Sequence, residues 1–207
     1  FRDLSIAEYT DGKIHIPHVS TAKSVEIIEE FKKKNVKVTA EVTPHHLFAT
    51  DKILLDYNTN AKVAPPIRTQ KDQAALIKAL KNGVIDCIAT DHAPHAIEDK
   101  ECDFEQAHCG MIGLESAFSL SSEILLQNGF SIYDVIDRFT INPSKIMKIR
   151  KKGIQLEANA DLCIINPKKE WLFSKDKIYS KSSNTPFLNK KMIGKIEMVL
   201  TKKHYFK

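Results

Sequence analysis

The sequence predicts an α/β protein that is built on a parallel sheet and carries a small β appendage at its C-terminal end. Three apolar strand segments alternate with amphipathic helices at the period of βαβ units, which favours parallel strands joined by right-handed crossovers. Each of these strand segments ends in histidine or aspartate. After residue 153, strand segments follow one another without such helices, and this change of pattern predicts the appendage.

The composition is that of an ordinary soluble globular protein. The chain has 207 residues, of which 43% are hydrophobic and 28% charged, enough for one domain with an appendage. The net charge of +5 comes mostly from scattered lysines, which favours a solvated surface over a nucleic-acid site. The sequence shows no apolar run of membrane-spanning length, no signal peptide and no CxxC pair among its four cysteines. We therefore expect a cytoplasmic protein without a membrane or nucleic-acid partner.

The first strand segment lies between two predicted helices. Residues 1–11 are typical of the end of a helix, and residues 13–17 form a short strand that ends at His18. Thr21 is a good helix N-cap, and apolar residues then recur at helical spacing as far as Asn35.

The second and third strand segments follow the same plan. Residues 36–42 form a strand that leads into Thr43-Pro44-His45-His46. Thr69 and Asp72 indicate the start of a helix that ends at Gly83. Residues 84–89 then form a buried strand, apolar on both faces, with Asp91 at its carboxyl end.

The remaining segments predict a long loop, three helices and two strands. Residues 96–113 are polar and irregular, which is typical of an active-site loop. Three helices are predicted over 114–127, over 131–140 and from Asn142-Pro143 onward, and two strands over 160–165 and 195–200. We accordingly divide the chain into residues 1–152, which hold the parallel sheet, and residues 153–207, which form the appendage.

The residues at the strand ends suggest chemistry. Carboxyl ends of parallel strands meet at one edge of a sheet or barrel, where ligands and catalysis gather. Asp91 is the strongest candidate, since a carboxylate beside a divalent metal can bind it and also accept a proton from water. A turn-forming aspartate is the alternative. His18 suits a metal through a neutral imidazole nitrogen, although a lone histidine is usually structural.

Other candidates lie near these strand ends. His45 and His46 are adjacent, so an extended chain would point them to opposite sides, and we expect structural roles for them. His95 lies just beyond Asp91, within reach of a bound substrate. Cys109-Gly110 forms a turn in which glycine permits close approach of the backbone to a ligand, or which simply leads into a helix.

Four motifs and a C-terminal pair, taken together, resemble one family. Their combination closely resembles the C-terminal part of bacterial type I dihydroorotase, in the cyclic amidohydrolase branch of the amidohydrolase superfamily. The resemblance spans nearly the whole chain. Its motifs are His18-Val19-Ser20-Thr21, Glu41-Val42-Thr43-Pro44-His45-His46, Ala64-Pro65-Pro66-Ile67-Arg68, Thr90-Asp91-His92-Ala93-Pro94-His95, and then Asn184-Thr185-Pro186-Phe187 with Gly194-Lys195-Ile196.

The resemblance implies a fold and a set of functional residues. The fold is the C-terminal part of a metal-dependent (β/α)₈ TIM-like barrel, its last three strands, plus part of a small β-sandwich domain. His18 and Asp91 match zinc ligands, and Asp91 is also the catalytic residue. The implied substrate-binding residues are His95, Cys109, Gly110 and Ala64. Ala64, however, stands where many members carry a substrate-binding asparagine.

The implied activity is zinc-dependent interconversion of N-carbamoyl-L-aspartate and L-dihydroorotate in de novo pyrimidine biosynthesis. One or two Zn²⁺ ions would activate the attacking water, and their other ligands belong upstream of Phe1. We therefore expect that this chain alone is inactive and needs a missing N-terminal half or a homo-oligomer. The alternatives are a cyclic amidase of the hydantoinase or allantoinase kind, to which alanine at position 64 also corresponds, and a non-catalytic dihydroorotase-like subunit.

Overall fold

The computed structural model describes residues 1–149, 153–156, 158–201 and 204–206. Its first sheet contains β1 (Lys13–Ile16), β2 (Lys37–Val42) and β3 (Cys87–Ile88) in the order β1-β2-β3, and all of its pairings are parallel. This confirms the predicted run of consecutive parallel strands. The predicted boundary at residue 152 lies outside the described residues, and the division into two domains stays a prediction.

Seven helices are described around the sheet, and several begin where the sequence predicted. The side chains of Thr21 and Thr69 each accept a hydrogen bond from a backbone N–H of the first helical turn, and Ser131 forms a reciprocal capping box with Asp134. Such caps satisfy N–H groups that have no partner within the helix. The helices are α1 (Arg2–Thr10), α2 (Ala22–Lys33), α3 (Pro44–Phe48), α4 (Gln70–Lys81), α5 (Ala117–Gln127), α6 (Ile132–Phe139) and α7 (Ile141–Ile146).

The two faces of the parallel sheet have different surroundings. Alternate residues of β2, Val38, Ala40 and Val42, are buried in the main core, together with side chains of α2 and α4 such as Phe31 and Leu80. The residues between them point to the other face, because side chains alternate along a strand. In a barrel that other face is the interior.

The third strand is shorter than predicted. Only Cys87 and Ile88 form the regular ladder with β2, whereas the sequence predicted a strand over 84–89. The hydrogen bonds nevertheless continue on both sides, because Asp86 N–H donates to Ala40 O (2.8 Å) and Ala89 N–H donates to Val42 O (3.1 Å).

The segment after β2 differs from the expectation of an extended chain. His45 and His46 lie in the short helix α3, which Thr43 caps with its side chain and in which Pro44 occupies the first turn. Proline suits that position because its missing N–H is not needed there. The two histidines therefore do not alternate across a strand, and both are buried.

The appendage is an antiparallel sheet with the order β4-β5-β6. Its strands are β4 (Asp161–Leu172), β5 (Lys191–Thr201) and β6 (His204–Phe206), and β6 was not predicted. Gly194, just before the predicted strand of residues 195–200, lies within β5 and has φ +87°. Its carbonyl oxygen accepts from the Trp171 indole of β4 and from the Ser119 hydroxyl of α5. The bond from Ser119 attaches this sheet to α5.

The described part of the chain contains no helix that combines the length and the apolarity needed to cross a bilayer.

Replacing Leu80 with alanine should destabilise the full-length protein. Leu80 is 0% exposed in the core between α4 and the sheet, so truncation leaves a cavity and should lower the free energy of unfolding by about 2–5 kcal/mol. Chemical denaturation measures the change. Lys78→Ala, on the exposed face of the same helix, is the control and should stay within about 0.5 kcal/mol of wild type. Equal effects of the two substitutions would contradict the packing described here.

Candidate active site

Two predicted metal ligands follow strands of the parallel sheet in an unusual backbone conformation. His18 has φ +35° and Asp91 has φ +49°, a left-handed region that few residues other than glycine adopt. Such conformations concentrate at functional sites, where the surrounding structure maintains them. The turn at His18 is held in part by Val19 N–H, which donates to Glu41 O of β2 (2.9 Å).

The two buried histidines of α3 have pKa values that are lowered by burial and changed further by nearby charges. Burial lowers the pKa of His45 well below its usual value, and the charges of His46 and His18 lower it further. Burial likewise lowers the pKa of His46 from 6.5 to about 4, while the charge of His18 lowers it and that of Asp91 raises it. The segments that carry His18, His46 and Asp91 follow β1, β2 and β3, whose carboxyl ends lie side by side. The three strand ends thus meet at one edge of the sheet, as the sequence predicted.

His46 has a structural role, whereas His45 keeps one nitrogen free. The Nε2–H of His46 donates to Pro65 O (3.0 Å), and its Nδ1 accepts from the Thr43 hydroxyl (2.7 Å). Both ring nitrogens are thus occupied, and the ring is neutral. His45 Nε2 is buried and has no hydrogen-bond partner among the described residues.

Three of the predicted substrate-binding residues lie in contact. His95 Nε2–H donates to Cys109 O (3.0 Å). Gly110 packs so closely that a Cβ there would lie 2.7 Å from both His95 Nε2 and Ala93 Cβ. Its φ of +140° also requires glycine. Cys109 is exposed, and His95 is half-buried.

Ala64 lies near this group without a described contact to it. The residue is exposed. Its chain segment is attached on both sides, because Gly110 N–H donates to Lys62 O (2.8 Å) and Pro65 O accepts from His46. The segment 62–65 therefore connects the histidines of α3 to the Cys109-Gly110 turn.

The long loop of residues 96–113 is held by two lysines. Lys100 is buried, and its ammonium group donates to Thr59 O (3.0 Å) and His108 O (2.6 Å). Burial lowers the pKa of Lys100. Lys62 donates to Phe104 O (2.7 Å) and also to the next carbonyl along the chain. Backbone carbonyls satisfy both cations, so the loop has a defined path.

The ring of His92 links this loop to the appendage. Its Nδ1 accepts from Gly113 N–H (3.0 Å) and Leu114 N–H (3.3 Å), so the ring proton is on Nε2, which faces the Ser180 hydroxyl (3.2 Å). Ser180 in turn donates to a carboxylate oxygen of Glu115 (2.6 Å). Burial would raise the pKa of Glu115, but hydrogen bonds from residues 179–180 outweigh burial and lower it.

A polar layer on the interior face of the sheet was not predicted as a site. His15 Nδ1 lies 2.8 Å from the Thr39 hydroxyl, and its Nε2 lies 3.1 Å from a carboxylate oxygen of Glu41. Cys87 lies beside them, and burial, with Glu41 and Asp86, raises the pKa of its thiol to about 12. The alternation of His15, Thr39 and Glu41 with apolar neighbours was the available signal in the sequence.

His18 and Asp91 are donors of the kinds that bind zinc, but two protein ligands are too few for a zinc site. Imidazole nitrogen and carboxylate oxygen are both common zinc donors, and a zinc site needs at least three protein ligands. Within the described residues, two groups of three side chains could hold a metal, His15 with Glu41 and Cys87, and His95 with Asp99 and His108. Neither group contains His18 or Asp91. These two donors can form only part of a metal centre.

Comparisons with known proteins agree with this geometry. The model of the amidohydrolase family matches residues 4–199. Dihydroorotase from Elusimicrobium minutum is 45% identical over 197 residues, which are 95% of this chain and 46% of that protein. Dihydroorotase from Caldanaerobacter subterraneus subsp. tengcongensis is 44% identical over 96% of this chain and 46% of its own length. The chain thus spans about half the length of these relatives.

One solved structure has the same fold over nearly the whole of this chain. L-Hydantoinase (dihydropyrimidinase) from Arthrobacter aurescens superposes with a TM-score of 0.87 at 25% identity, over 99% of this chain and 47% of that chain. The agreement in fold extends over both sheets described above.

His46 should make stability depend on pH. Its pKa is about 4 in the folded state against 6.5 ordinarily, so below pH 6.5 the unfolded chain binds more protons. The contribution is complete above pH 6.5 and is lost as the pH falls toward 4, by up to about 3 kcal/mol. In His46→Gln, whose amide can keep both hydrogen bonds without titrating, thermal unfolding of the full-length protein should depend less on pH.

His108→Gln is the control for this measurement, because His108 is exposed. It should leave the pH dependence of the wild type unchanged. His45 titrates in the same direction and remains in both variants, so a reduced slope is expected for His46→Gln rather than a flat one. A slope equal to that of wild type would show that His46 is not a buried neutral histidine.

Proposed function

Because the chain belongs to the amidohydrolase family, we propose that the protein of which it forms about half is a zinc-dependent dihydroorotase. It interconverts N-carbamoyl-L-aspartate and L-dihydroorotate for pyrimidine synthesis. One observation carries this proposal. His18 and Asp91 follow β1 and β3, the two neighbours of β2, at the carboxyl edge of the parallel sheet in a chain 45% identical to a dihydroorotase.

His18 and Asp91 would hold the zinc together with ligands from the upstream part of the protein. When bound, the ion polarises the ring amide carbonyl and makes water a stronger nucleophile at neutral pH. His46 cannot serve as a ligand while its two ring nitrogens bond Thr43 and Pro65. It instead fixes the segment of Ala64 beside the site.

Asp91 stands where a proton carrier is needed. It follows β3 at the carboxyl edge of the sheet, where its carboxylate can accept a proton from the attacking water and transfer it to the leaving ring nitrogen. In the cyclisation direction the same carboxylate moves the proton the opposite way. General acid–base transfer of this kind typically contributes about 10²–10⁴-fold to a rate.

His95, Cys109 and Gly110 would bind the substrate. The His95 Nε2–H is donated to Cys109 O, and its Nδ1 lies 3.7 Å from a carboxylate oxygen of Asp99, so these two contacts fix the orientation of the ring. The absence of a Cβ at Gly110 lets the ring and the backbone approach each other closely. Cys109 and Gly110 would contribute backbone groups, which recognise the polar edge of a cyclic amide. Ala64 adds only a methyl group.

The four cysteines are free, which supports a reducing cytoplasm as the location. A cyclic amidase of the hydantoinase kind is the second candidate. The superposition on L-hydantoinase and the alanine at position 64 favour it.

A substrate panel tests the proposal on the full-length protein. We expect turnover of L-dihydroorotate, and slower or no turnover of hydantoin and allantoin. Stoichiometric zinc should be found by metal analysis. Preferential turnover of hydantoin would favour the second candidate. Absence of both turnover and zinc would indicate a non-catalytic homologue.

Asp91→Asn should abolish most of the activity. The amide cannot take a proton from water, so we expect the turnover of dihydroorotate to fall at least about a hundredfold. Steady-state kinetics on full-length protein measures this. Asp103→Asn removes an exposed carboxylate of the long loop and should leave turnover unchanged. A variant at Asp91 with near wild-type turnover would exclude the assigned role.

A further inference from the structure

The amide of Asn184 is buried and bonded to the backbone on both of its sides. The residue is 6% exposed. Its Oδ1 accepts from His95 N–H (3.2 Å), and its Nδ2 donates to Ala93 O (3.0 Å) and Gly110 O (3.2 Å). The Ser182 hydroxyl also lies 2.6 Å from Oδ1, but it shares its one hydrogen between Oδ1 and His95 O. Both donor hydrogens of the amide are therefore used by the protein.

The partners determine which way the amide faces. A backbone N–H lies on the Oδ1 side and two carbonyl oxygens lie on the Nδ2 side. The reversed amide would place its NH₂ against an N–H and its oxygen against two carbonyls, losing three bonds. The hydrogen-bond network therefore assigns the orientation.

The backbone groups joined by Asn184 belong to two segments of the long connection between β3 and α5. Ala93 and His95 follow β3, while Gly110 lies 15 residues beyond His95 in the Cys109-Gly110 turn. The two segments also meet directly, since Ala93 N–H donates to Met111 O (2.9 Å). The main chain of Asn184 adds a further bond, because Ile112 N–H donates to its carbonyl oxygen (3.0 Å). A side chain from the appendage thus reinforces the pairing of the two segments that carry the proposed substrate-binding groups.

We propose that Asn184 is a positioning residue for the substrate pocket. It sets the separation of the His95 imidazole and the Gly110 backbone, and thereby the affinity for the cyclic amide. This inference rests on the proposed function, since it takes these two residues as substrate contacts. Asn184 has no described hydrogen bond to His18 or Asp91, so its loss should spare metal binding.

Thr185 provides a matched control for burial. It is 4% exposed and next in the chain, but its hydroxyl accepts only from Phe187 N–H (3.3 Å) within its own turn. A purely structural contribution of this buried segment would appear in Thr185→Val as well. A rise in KM confined to the Asn184 variants would come from the hydrogen bonds of Asn184 to Ala93, His95 and Gly110.

The experiment compares Asn184→Ala, Asn184→Asp and Thr185→Val in the full-length protein. Asn184→Asp keeps Oδ1 but sets a second oxygen against two carbonyls. For both Asn184 variants we expect KM for dihydroorotate to rise about tenfold or more. We expect kcat to change less than KM, and zinc content to equal that of wild type. Thr185→Val should keep the wild-type KM.

Each outcome decides one question. Unchanged KM in the folded Asn184 variants, or an equal rise in Thr185→Val, overturns the positioning role. If neither Asn184 variant folds, Ser182→Ala decides, because it removes the hydroxyl that joins Oδ1 and His95 O. A KM rise of about threefold supports the role, and an unchanged KM overturns it. The variants are assayed on whichever cyclic amide the wild type hydrolyses. Failure of dihydroorotate as a substrate therefore contradicts the proposed function alone.

Discussion

The parallel pairing of β2 with its two neighbours is the constraint on which the site depends. On one side Glu41 O accepts from Val19 N–H, immediately after His18. On the other side Val42 O accepts from Ala89 N–H, two residues before Asp91. Two successive carbonyls at the end of β2 therefore fix how far along the strand direction both proposed zinc ligands lie. A register change in either pairing would separate them.

The region around this strand end contains neutral buried histidines. His45 and His46 are buried and have lowered pKa values, so they remain uncharged where water is scarce. Their neutrality avoids burying an unpaired charge, which would cost several kcal/mol. Asp91, which follows β3 at the same edge of the sheet, is thus the carboxylate available to the proposed metal.

The sequence predicted the elements whose signals are local. The caps at Thr21, Thr69 and Ser131 and the alternation along β2 were readable because each depends on a few neighbouring residues. The short helix at Pro44 was missed, although threonine followed by proline is a typical helix start. The strand β6 was missed because its few residues gain their order from pairing with β5.

The site was predictable only in part, for a related reason. Strand-end positions indicated His18 and Asp91 as candidates, the resemblance added His95, Cys109 and Gly110, and their roles stay predictions. His92 bonds a residue 21 positions away in the chain, and Asn184 bonds residues 74 and 91 positions away. No local sequence pattern contains such partners. The layer of His15, Glu41 and Cys87 likewise requires three strands to be aligned before its members meet.

The raised pKa of Cys87 has a consequence for the chemistry of the barrel interior. Oxidants and alkylating reagents attack the thiolate. A thiol with a pKa of about 12 is ionised in only about one molecule in 10⁵ at neutral pH. The buried thiol is thus poorly reactive toward such reagents. A carboxylate and a thiol can share this layer because burial, and then the negative charge of Glu41, disfavour the thiolate.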